Sequence, residues 1–326
     1  MPATLEAVRP IDLAEVRQAR TRIAGIVVRT PLVPLSLGSD FPDIRLKLET
    51  LQPISAYKLR GAANAVALLS ASERARGVWT ISAGNAGQGV AYAARNAGVP
   101  CTVVAIETAP TAKLERMKAL GAKLILVSYD AAWKALEERA YPGAEGTFVH
   151  PFDDQQFITG HATMGLEIFE DAPDVSAVIA AIGGGGLITG VGSVLKALKP
   201  GIQVWGAEPE TAAPAARSFA AGAPQQFAEW KASFVDGAGG KSVFPRMWQR
   251  MRPVVDGSIV VSLEQTKQAM RLMAEKIRVI AEGAGALPLA AALTGKAGQG
   301  PIVAIVSGGN IDLKLFSELV AGAATP

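Results

Sequence analysis

The chain has 326 residues, 49% of them hydrophobic and 19% charged, a composition that supports a large buried core and excludes an intrinsically disordered protein. Its formal net charge of +3 is too small to indicate a nucleic-acid-binding surface. The single cysteine, Cys101, excludes an intrachain disulfide, and with only two histidines the chain has no Cys/His cluster for structural zinc.

The N-terminal segment is charged throughout and lacks the apolar core and cleavage site of a signal peptide. Together with the cysteine usage, this predicts a cytoplasmic protein. Residues 177–195 carry no charge over a membrane-like length, but they contain six glycines and lie between charged flanks. They predict a buried strand, a loop and a helix start, and no membrane span.

Short apolar runs alternate with amphipathic stretches along most of the chain, which is typical of parallel strands joined by helices. Predicted strands of a first series cover residues 78–82, 101–106 and 123–128. A second series alternates strand and helix over residues 147–150, 157–170, 177–182, 187–198 and 204–208. We therefore predict an α/β fold with two doubly wound open sheets. Between residues 217 and 256 the periodicity fades, which predicts loops and short helices over a site.

Two segments in the first third of the chain are candidates for chemistry. Lys58 is either a solvated surface lysine or a buried amine with a lowered pKa that forms a Schiff base. The small residues from Ser82 to Gly89 follow a predicted strand. They form either an ordinary turn or a helix N-terminus whose backbone N–H groups bind a carboxylate or phosphate.

Two further segments follow apolar strands in the second half of the chain. The four consecutive glycines at 183–186 favour close approach of the backbone to a phosphate, with tight packing or a flexible turn as the alternative. They do not form a dinucleotide-binding fingerprint, because its third glycine falls on Ile188 or Thr189. The Ser307 hydroxyl either caps a turn or donates a hydrogen bond to a ring nitrogen.

In this order and spacing, the four segments resemble the fold type II pyridoxal-phosphate enzymes, which have the tryptophan synthase β fold, and specifically the threonine dehydratase and serine racemase family. The motifs that carry this resemblance span nearly the whole chain. They are Lys58-Leu59-Arg60-Gly61-Ala62, Ser82 to Gln88, His150-Pro151-Phe152-Asp153, Gly183 to Gly186, Glu208-Pro209, Asp236-Gly237, Glu282-Gly283-Ala284-Gly285 and Ser307-Gly308-Gly309-Asn310.

The resemblance implies that pyridoxal 5'-phosphate is the cofactor, with Lys58 as its covalent anchor and as the catalytic residue. It also implies roles at the cofactor for Tyr57 beside the ring, Asn85 at the phenolic oxygen, Ser307 at the pyridine nitrogen, Glu282 nearby, and Gly183, Gly184, Gly185 and Gly186 at the phosphate. The substrate carboxylate is expected on the segment formed by Ser82, Ala83, Gly84, Asn85 and Ala86.

The reaction implied by the resemblance is β-elimination from a hydroxy amino acid such as L-threonine or L-serine. Lys58 takes the α-proton and the β-hydroxyl leaves, with the cofactor phosphate as the acid, to give a 2-oxo acid and ammonia. A neutral serine hydroxyl at the ring nitrogen suits elimination better than a long-lived carbanion. The expected partner is the small amino acid substrate, and neither nucleic acid nor a membrane is expected as a partner. The resemblance also implies a homodimer.

Three departures from the family's pattern modify these expectations. Ala83 stands where racemases of the family have a serine base, which disfavours racemisation. Ala86 stands where the family has a histidine, so a bulkier substrate such as phenylserine is an alternative. Pro214 stands where cation-binding members have an acid, so no metal site is expected, although Glu208 is a remaining candidate ligand for a divalent cation.

The resemblance also implies a small domain of residues 75–151, inserted into a large domain of residues 1–74 and 152–326, with the site in the cleft. The chain leaves no room for a C-terminal regulatory domain, which favours a catabolic type.

Another alternative substrate is 3-hydroxyaspartate, for which Arg246 or Lys241 is a candidate partner of the second carboxylate. Another alternative is a ligand-binding member of the fold that has lost catalysis. Lys58-Leu59-Arg60 and Asn85-Ala86 argue against a cysteine synthase.

Overall fold

The computed structural model describes residues 7–322, which form helices and strands in alternation along the chain. The first half contains α1 (Leu13–Ile23), β1 (Leu32–Leu35), β2 (Ile44–Leu48), a short 3-10 helix (Glu49–Leu51), α2 (Lys58–Ala67), α3 (Ala71–Arg76), β3 (Val78–Ile81), α4 (Asn85–Ala97), β4 (Cys101–Ile106), α5 (Thr111–Ala119), β5 (Lys123–Val127), α6 (Tyr129–Glu138) and β6 (Thr147–Phe148). The second half contains α7 (Gln155–Asp171), β7 (Ala177–Ala181), α8 (Gly186–Leu198), β8 (Gln203–Pro209), α9 (Pro214–Ala221), α10 (Pro245–Met251), β9 (Gly257–Val261), α11 (Leu263–Ile277), α12 (Gly283–Leu293), β10 (Ile302–Val306) and α13 (Leu313–Ala321).

The strands form two separate open sheets. The large sheet has six strands in the order β1-β2-β10-β7-β8-β9, and the small sheet has four in the order β5-β4-β3-β6. All neighbouring strands are parallel except β1, which pairs antiparallel with β2 at the edge of the large sheet. The predicted α/β class with two sheets is confirmed. The strand predicted at residues 147–150 was assigned to the second series, but as β6 it pairs with β3 in the small sheet. The elements before β3, together with β9, α11 and α12, were not predicted.

The central strands of the large sheet are apolar at every position because helices cover both of their faces. Every residue of β7 and β10 is buried. Helix α12 is also buried from Gly283 to Ala292. The region from 217 to 256, predicted as loops with short helices, contains the end of α9 and the seven-residue α10 between irregular segments. No helix within residues 7–322 has the length and apolarity needed to cross a membrane.

Helix α2, which begins at Lys58, is held in place by two close helix contacts. A Cβ atom at Gly160 of α7 would lie 2.3 Å from the Arg60 carbonyl oxygen. A Cβ atom at Gly89 of α4 would lie 3.2 Å from the carbonyl carbon of Lys58. The glycines therefore let α4 and α7 approach the first turn of α2, and these contacts fix the position of Lys58.

A buried ionic network anchors the same turn of α2. Arg60 donates two hydrogen bonds to Glu49, both at 2.8 Å, and two to Glu167, at 2.7 and 2.9 Å. Lys47 lies 2.7 Å from Glu167 through its Nζ atom and donates to the Thr30 carbonyl at 2.7 Å. The arginine and Glu49 are fully buried, and Coulomb attraction from Arg60 holds the pKa of Glu49 below its usual value despite the opposing effect of burial. Two buried cations thus balance two buried anions.

Candidate functional site

A cavity of about 560 Å³ is lined by segments that follow strands of both sheets. Its walls include the segments that follow β3 and β4 in the small sheet and those that follow β7 and β10 in the large sheet. The carboxyl ends of parallel strands are where open α/β sheets bind ligands, and this volume is within the usual range of small-molecule sites. The cavity is therefore the candidate functional site.

Lys58 contributes an amine to this cavity. Its Nζ atom donates a hydrogen bond of 2.6 Å to the Pro151 carbonyl. The same atom lies 5.2 Å from the ring centroid of Tyr57 and 5.5 Å from that of Phe157. Burial lowers the pKa of Lys58 to about 7, because the charged form loses hydration that these neighbours do not replace. A large fraction of the amine is therefore neutral, and nucleophilic, near neutral pH.

The segment from Ser82 to Ala86 joins β3 to α4 and lines the cavity along its whole length. The Gly84 N–H donates to the Ser82 hydroxyl oxygen at 3.1 Å, which shapes the turn before the helix. The first N–H groups of a helix have no acceptor within it, and they carry the positive end of the helix dipole. The start of the 13-residue α4 thus presents donors suited to a carboxylate.

Asn85 is held by side chains from the far end of the chain. Its Nδ2 atom donates to Glu282 at 2.7 Å, and its Oδ1 atom accepts from Asn310 at 2.8 Å. Asn310 also donates to the Ile54 carbonyl at 2.7 Å. Because an amide NH₂ has two hydrogens, one remains on Asn85 for a ligand. Burial, together with the nearby charge of Asp236, raises the pKa of Glu282 to about 7.

The four glycines at 183–186 connect β7 to α8, and the first two line the cavity. A Cβ atom at Gly184 would lie 2.1 Å from Cγ of Phe152, so no larger residue fits against that ring. Gly185 is the N-cap of α8 and has a φ of 86°, a left-handed conformation that favours glycine. The loop therefore brings bare backbone to the start of a 13-residue helix, an arrangement suited to a phosphate.

Ser307 follows β10, is buried and lines the cavity. Its carbonyl accepts a hydrogen bond of 3.0 Å from the Tyr57 N–H, which ties the end of β10 to the residue before Lys58. The structure therefore brings all four predicted segments to one cavity, with Tyr57, Lys58, Asn85, Glu282 and Ser307 among its walls. Gly185 and Gly186 lie just behind the lining glycines and are buried.

Glu208 lies near the end of β8, and three protein groups donate hydrogen bonds to its carboxylate. It accepts hydrogen bonds from the N–H groups of Ala215 and Ala216 at 2.9 and 2.8 Å, and from the Ser258 hydroxyl at 2.8 Å. Burial raises its pKa to about 7. These contacts give Glu208 a role in capping α9, which Pro214 begins. Within the described range 7–322, no three His, Cys, Asp or Glu side chains group together as metal ligands.

Several residues at the cavity had no predicted role. Trp133 of α6 and Phe244, just before α10, both line it, and Asn310 orients Asn85. In contrast, Arg246 and Lys241 are not among its described lining residues. Arg246 donates to Asp153 at 2.8 Å, and the Lys241 amine lies 4.7 Å from the ring centroid of Tyr129. The tryptophan and the phenylalanine had no signal in the sequence beyond their apolar character.

Comparison with known proteins gives consistent matches over most of the chain. The profile of a family described as "Pyridoxal-phosphate dependent enzyme" matches residues 23–308. L-Threonine ammonia-lyase of Thermotoga maritima is 39% identical over 316 residues, which cover 95% of this chain and 78% of that protein. The catabolic L-threonine dehydratase of Staphylococcus aureus is 37% identical over 327 residues, covering 97% of this chain and 94% of the other.

Solved structures of the same kind superpose closely on this one. Maize serine racemase gives a TM-score of 0.87 at 33% identity and covers 95% of this chain and 97% of its own. The processed form of threonine deaminase isoform 2 from Solanum lycopersicum gives a TM-score of 0.83 at 29% identity, with 99% of this chain and 98% of the other covered. The likeness therefore extends to the whole arrangement of the two sheets.

Proposed function

We propose that this chain, which belongs to the pyridoxal-phosphate-dependent enzyme family, eliminates water from a β-hydroxy amino acid such as L-threonine or L-serine. The net reaction converts the amino acid into a 2-oxo acid and ammonia. Membership of the family confirms the cofactor that the sequence motifs implied. The observation that carries the proposal is the buried Lys58 amine, whose pKa is lowered to about 7, in a cavity beside the N-termini of α4 and α8.

The residues of the cavity fit pyridoxal phosphate. Lys58 supplies the amine that would hold its aldehyde, and the glycine loop before α8 has no room for a Cβ atom at Gly184 and leaves backbone amides for its phosphate. The remaining N–H of Asn85 would bind the phenolic oxygen, and Ser307 would face the ring nitrogen. When bound, the cofactor supplies a covalent link to amines and a ring that withdraws electrons from the substrate Cα.

The residues of the chain perform the remaining tasks of the reaction. Backbone N–H groups from Ser82 to Ala86 would bind the substrate carboxylate, which orients the Cα–H bond. The neutral Lys58 amine would take the α-proton, and the β-hydroxyl would leave with a proton as water. Water then hydrolyses the resulting enamine, so that L-threonine gives 2-oxobutanoate and ammonia in equal amounts. Ala83, which lines the cavity, cannot move a proton, so we propose elimination rather than racemisation.

We also propose the division into domains that the sequence resemblance implied. Every strand of the small sheet lies within residues 78–148, which supports a small domain of residues 75–151 between two parts of a large one. The cavity, lined by segments that follow strands of both sheets, then lies in the cleft. The homodimer rests on the family resemblance. The cytoplasmic location rests on the cysteine usage, and Cys101 is buried and free.

The pH dependence of cofactor uptake by the apoprotein should follow the Lys58 amine. Only the neutral amine attacks an aldehyde, and burial places its pKa at about 7, below the value of an exposed lysine. The uptake rate should therefore rise with pH and level off above a midpoint near 7. Stopped-flow absorbance with pyridoxal phosphate measures this midpoint. A midpoint near 10 would show that the amine is not buried in the apoprotein.

The direct test of the proposed function is the release of 2-oxo acid by the cofactor-loaded protein. L-Threonine, L-serine, phenylserine and 3-hydroxyaspartate are supplied in parallel, and ammonia is measured in the same samples. We expect equal amounts of 2-oxo acid and ammonia from at least one of them. If a correctly loaded protein releases neither product from any of the four, the elimination proposal fails and the ligand-binding alternative gains support.

A further inference from the structure

One wall of the cavity is aromatic. The ring centroids of Trp133 and Phe244 are 5.4 Å apart, and those of Phe244 and Phe152 are also 5.4 Å apart, with tilted planes in both pairs. All three side chains line the cavity and are partly exposed. We name this set, Trp133, Phe152 and Phe244, the aromatic wall. It joins α6 of the small sheet's layer to the start of α10.

Contacts outside the cavity hold the two ends of the aromatic wall. The Trp133 indole N–H donates to Glu137 at 2.8 Å, so its polar atom is already bonded within α6. Phe152 packs on Gly184 and follows the carbonyl of Pro151, which accepts the hydrogen bond from Lys58. The inner end of the wall therefore adjoins both the amine and the glycine loop.

The space beside the aromatic wall is also lined by apolar side chains. Ile81, Leu136, Met247 and Met251 line the same cavity, and Ala86 contributes a methyl group. Of the charged lining groups apart from Lys58 and Glu282, Lys113 and Asp236 pair with one another. A small hydroxyalkyl side chain would leave these apolar surfaces in contact with water, whereas a phenyl ring would cover them.

We propose that the aromatic wall binds the β-substituent of the substrate, and that the preferred substrates are β-aryl-β-hydroxy amino acids such as phenylserine. This inference rests on the proposed elimination. Phenylserine would lose its α-proton and its β-hydroxyl as above, and after hydrolysis it would give phenylpyruvate and ammonia in equal amounts. The aryl ring itself takes part in no bond change, so its role is to place Cα and Cβ at the amine.

Burial of a phenyl ring is expected to favour phenylserine over L-threonine by about tenfold or more in kcat/KM, because aromatic rings bury more apolar area than a methyl group does. The experiment compares both substrates, using each β-diastereomer of phenylserine, in the cofactor-loaded wild type and in Trp133→Ala and Phe244→Leu. Phe41→Ala is the control, since Phe41 is exposed and lies outside the cavity lining. The two wall variants should lower the phenylserine preference by about tenfold, and the control should retain it.

A binding measurement separates this inference from the reaction. L-Phenylalanine and L-alanine lack the leaving hydroxyl, so their dissociation constants follow from changes in the absorbance of the bound cofactor. The wild type should bind L-phenylalanine about tenfold more tightly than L-alanine, and Trp133→Ala should lose this preference while its L-alanine affinity stays constant, which also checks its folding.

Each remaining outcome decides between the two claims. If L-threonine is turned over and phenylserine is no better, the aromatic wall proposal is overturned and the elimination stands. If the preference exists but survives in both wall variants, the assignment to these residues is wrong. If no hydroxy amino acid reacts while L-phenylalanine still binds preferentially, the wall is supported and the proposed function fails.

Discussion

A Lys58→Ala variant is expected to fold and to lose elimination by about 10³-fold or more. Among the described residues that line the cavity, the lysines are Lys58 and Lys113, and Lys113 pairs with Asp236. Removal of the Lys58 amine deletes both the proposed covalent anchor and the base that takes the α-proton, and proton transfer alone contributes about 10² to 10⁴ in rate. Steady-state assays with saturating pyridoxal phosphate measure the loss, and circular dichroism checks the fold.

The matched control for this variant is Lys134→Ala, which removes an exposed lysine on α6 that lies outside the cavity lining. This control should retain wild-type turnover. Turnover of Lys58→Ala within tenfold of the wild type would show that another group takes the proton. If the wild type shows no turnover and Lys58→Ala still binds the ligand, the protein would instead be a ligand-binding member of the fold.

An Arg60→Met variant is expected to lower the free energy of unfolding by about 3 to 5 kcal/mol, because it removes one partner of a buried ionic network. The arginine donates to both Glu49 and Glu167, and all three side chains are buried. Without it, Lys47 alone faces two buried carboxylates that must either stay charged at a cost or take up protons. Urea denaturation of the wild type and the variant measures the change.

Arg45→Met is the control for the arginine network. Arg45 donates to Asp174 through two nitrogens, both at 2.7 Å, but at the surface, where solvent screens the pair. The Arg45→Met substitution should therefore cause little change in the urea midpoint. Equal destabilisation by the two substitutions would mean that burial does not set the strength of the Arg60 network.

The sequence was most informative where one physical requirement dominates. β7 and β10 are buried on both faces and so appear as uninterrupted apolar runs, whereas β1 is an edge strand with a mixed pattern and was missed. The glycines at 183–186 were recognisable because the backbone there must approach Phe152 and a positive φ is required at Gly185. Local constraints of this kind leave a visible pattern in one stretch of chain.

Other features depend on residues that only the fold brings together. Trp133 lies on an amphipathic helix and Phe244 in a segment without periodicity, 111 positions apart by their numbers, and nothing local indicates that they meet. Asn310 contacts Asn85 from the other end of the chain. Likewise, Arg60 was recognised only as part of the lysine motif, although its partners in α7 and the 3-10 helix give it a structural task.

The strictest test of Lys58 as the cofactor's anchor is to locate the cofactor's covalent link. Borohydride reduction makes the link in the loaded protein permanent, and proteolysis followed by mass spectrometry identifies the modified peptide. We expect the label on Lys58, the first residue of α2, and no label in Lys58→Ala. A label on another lysine, or a loaded protein in which reduction fixes no cofactor to Lys58, would contradict the assignment of this cavity as the active site.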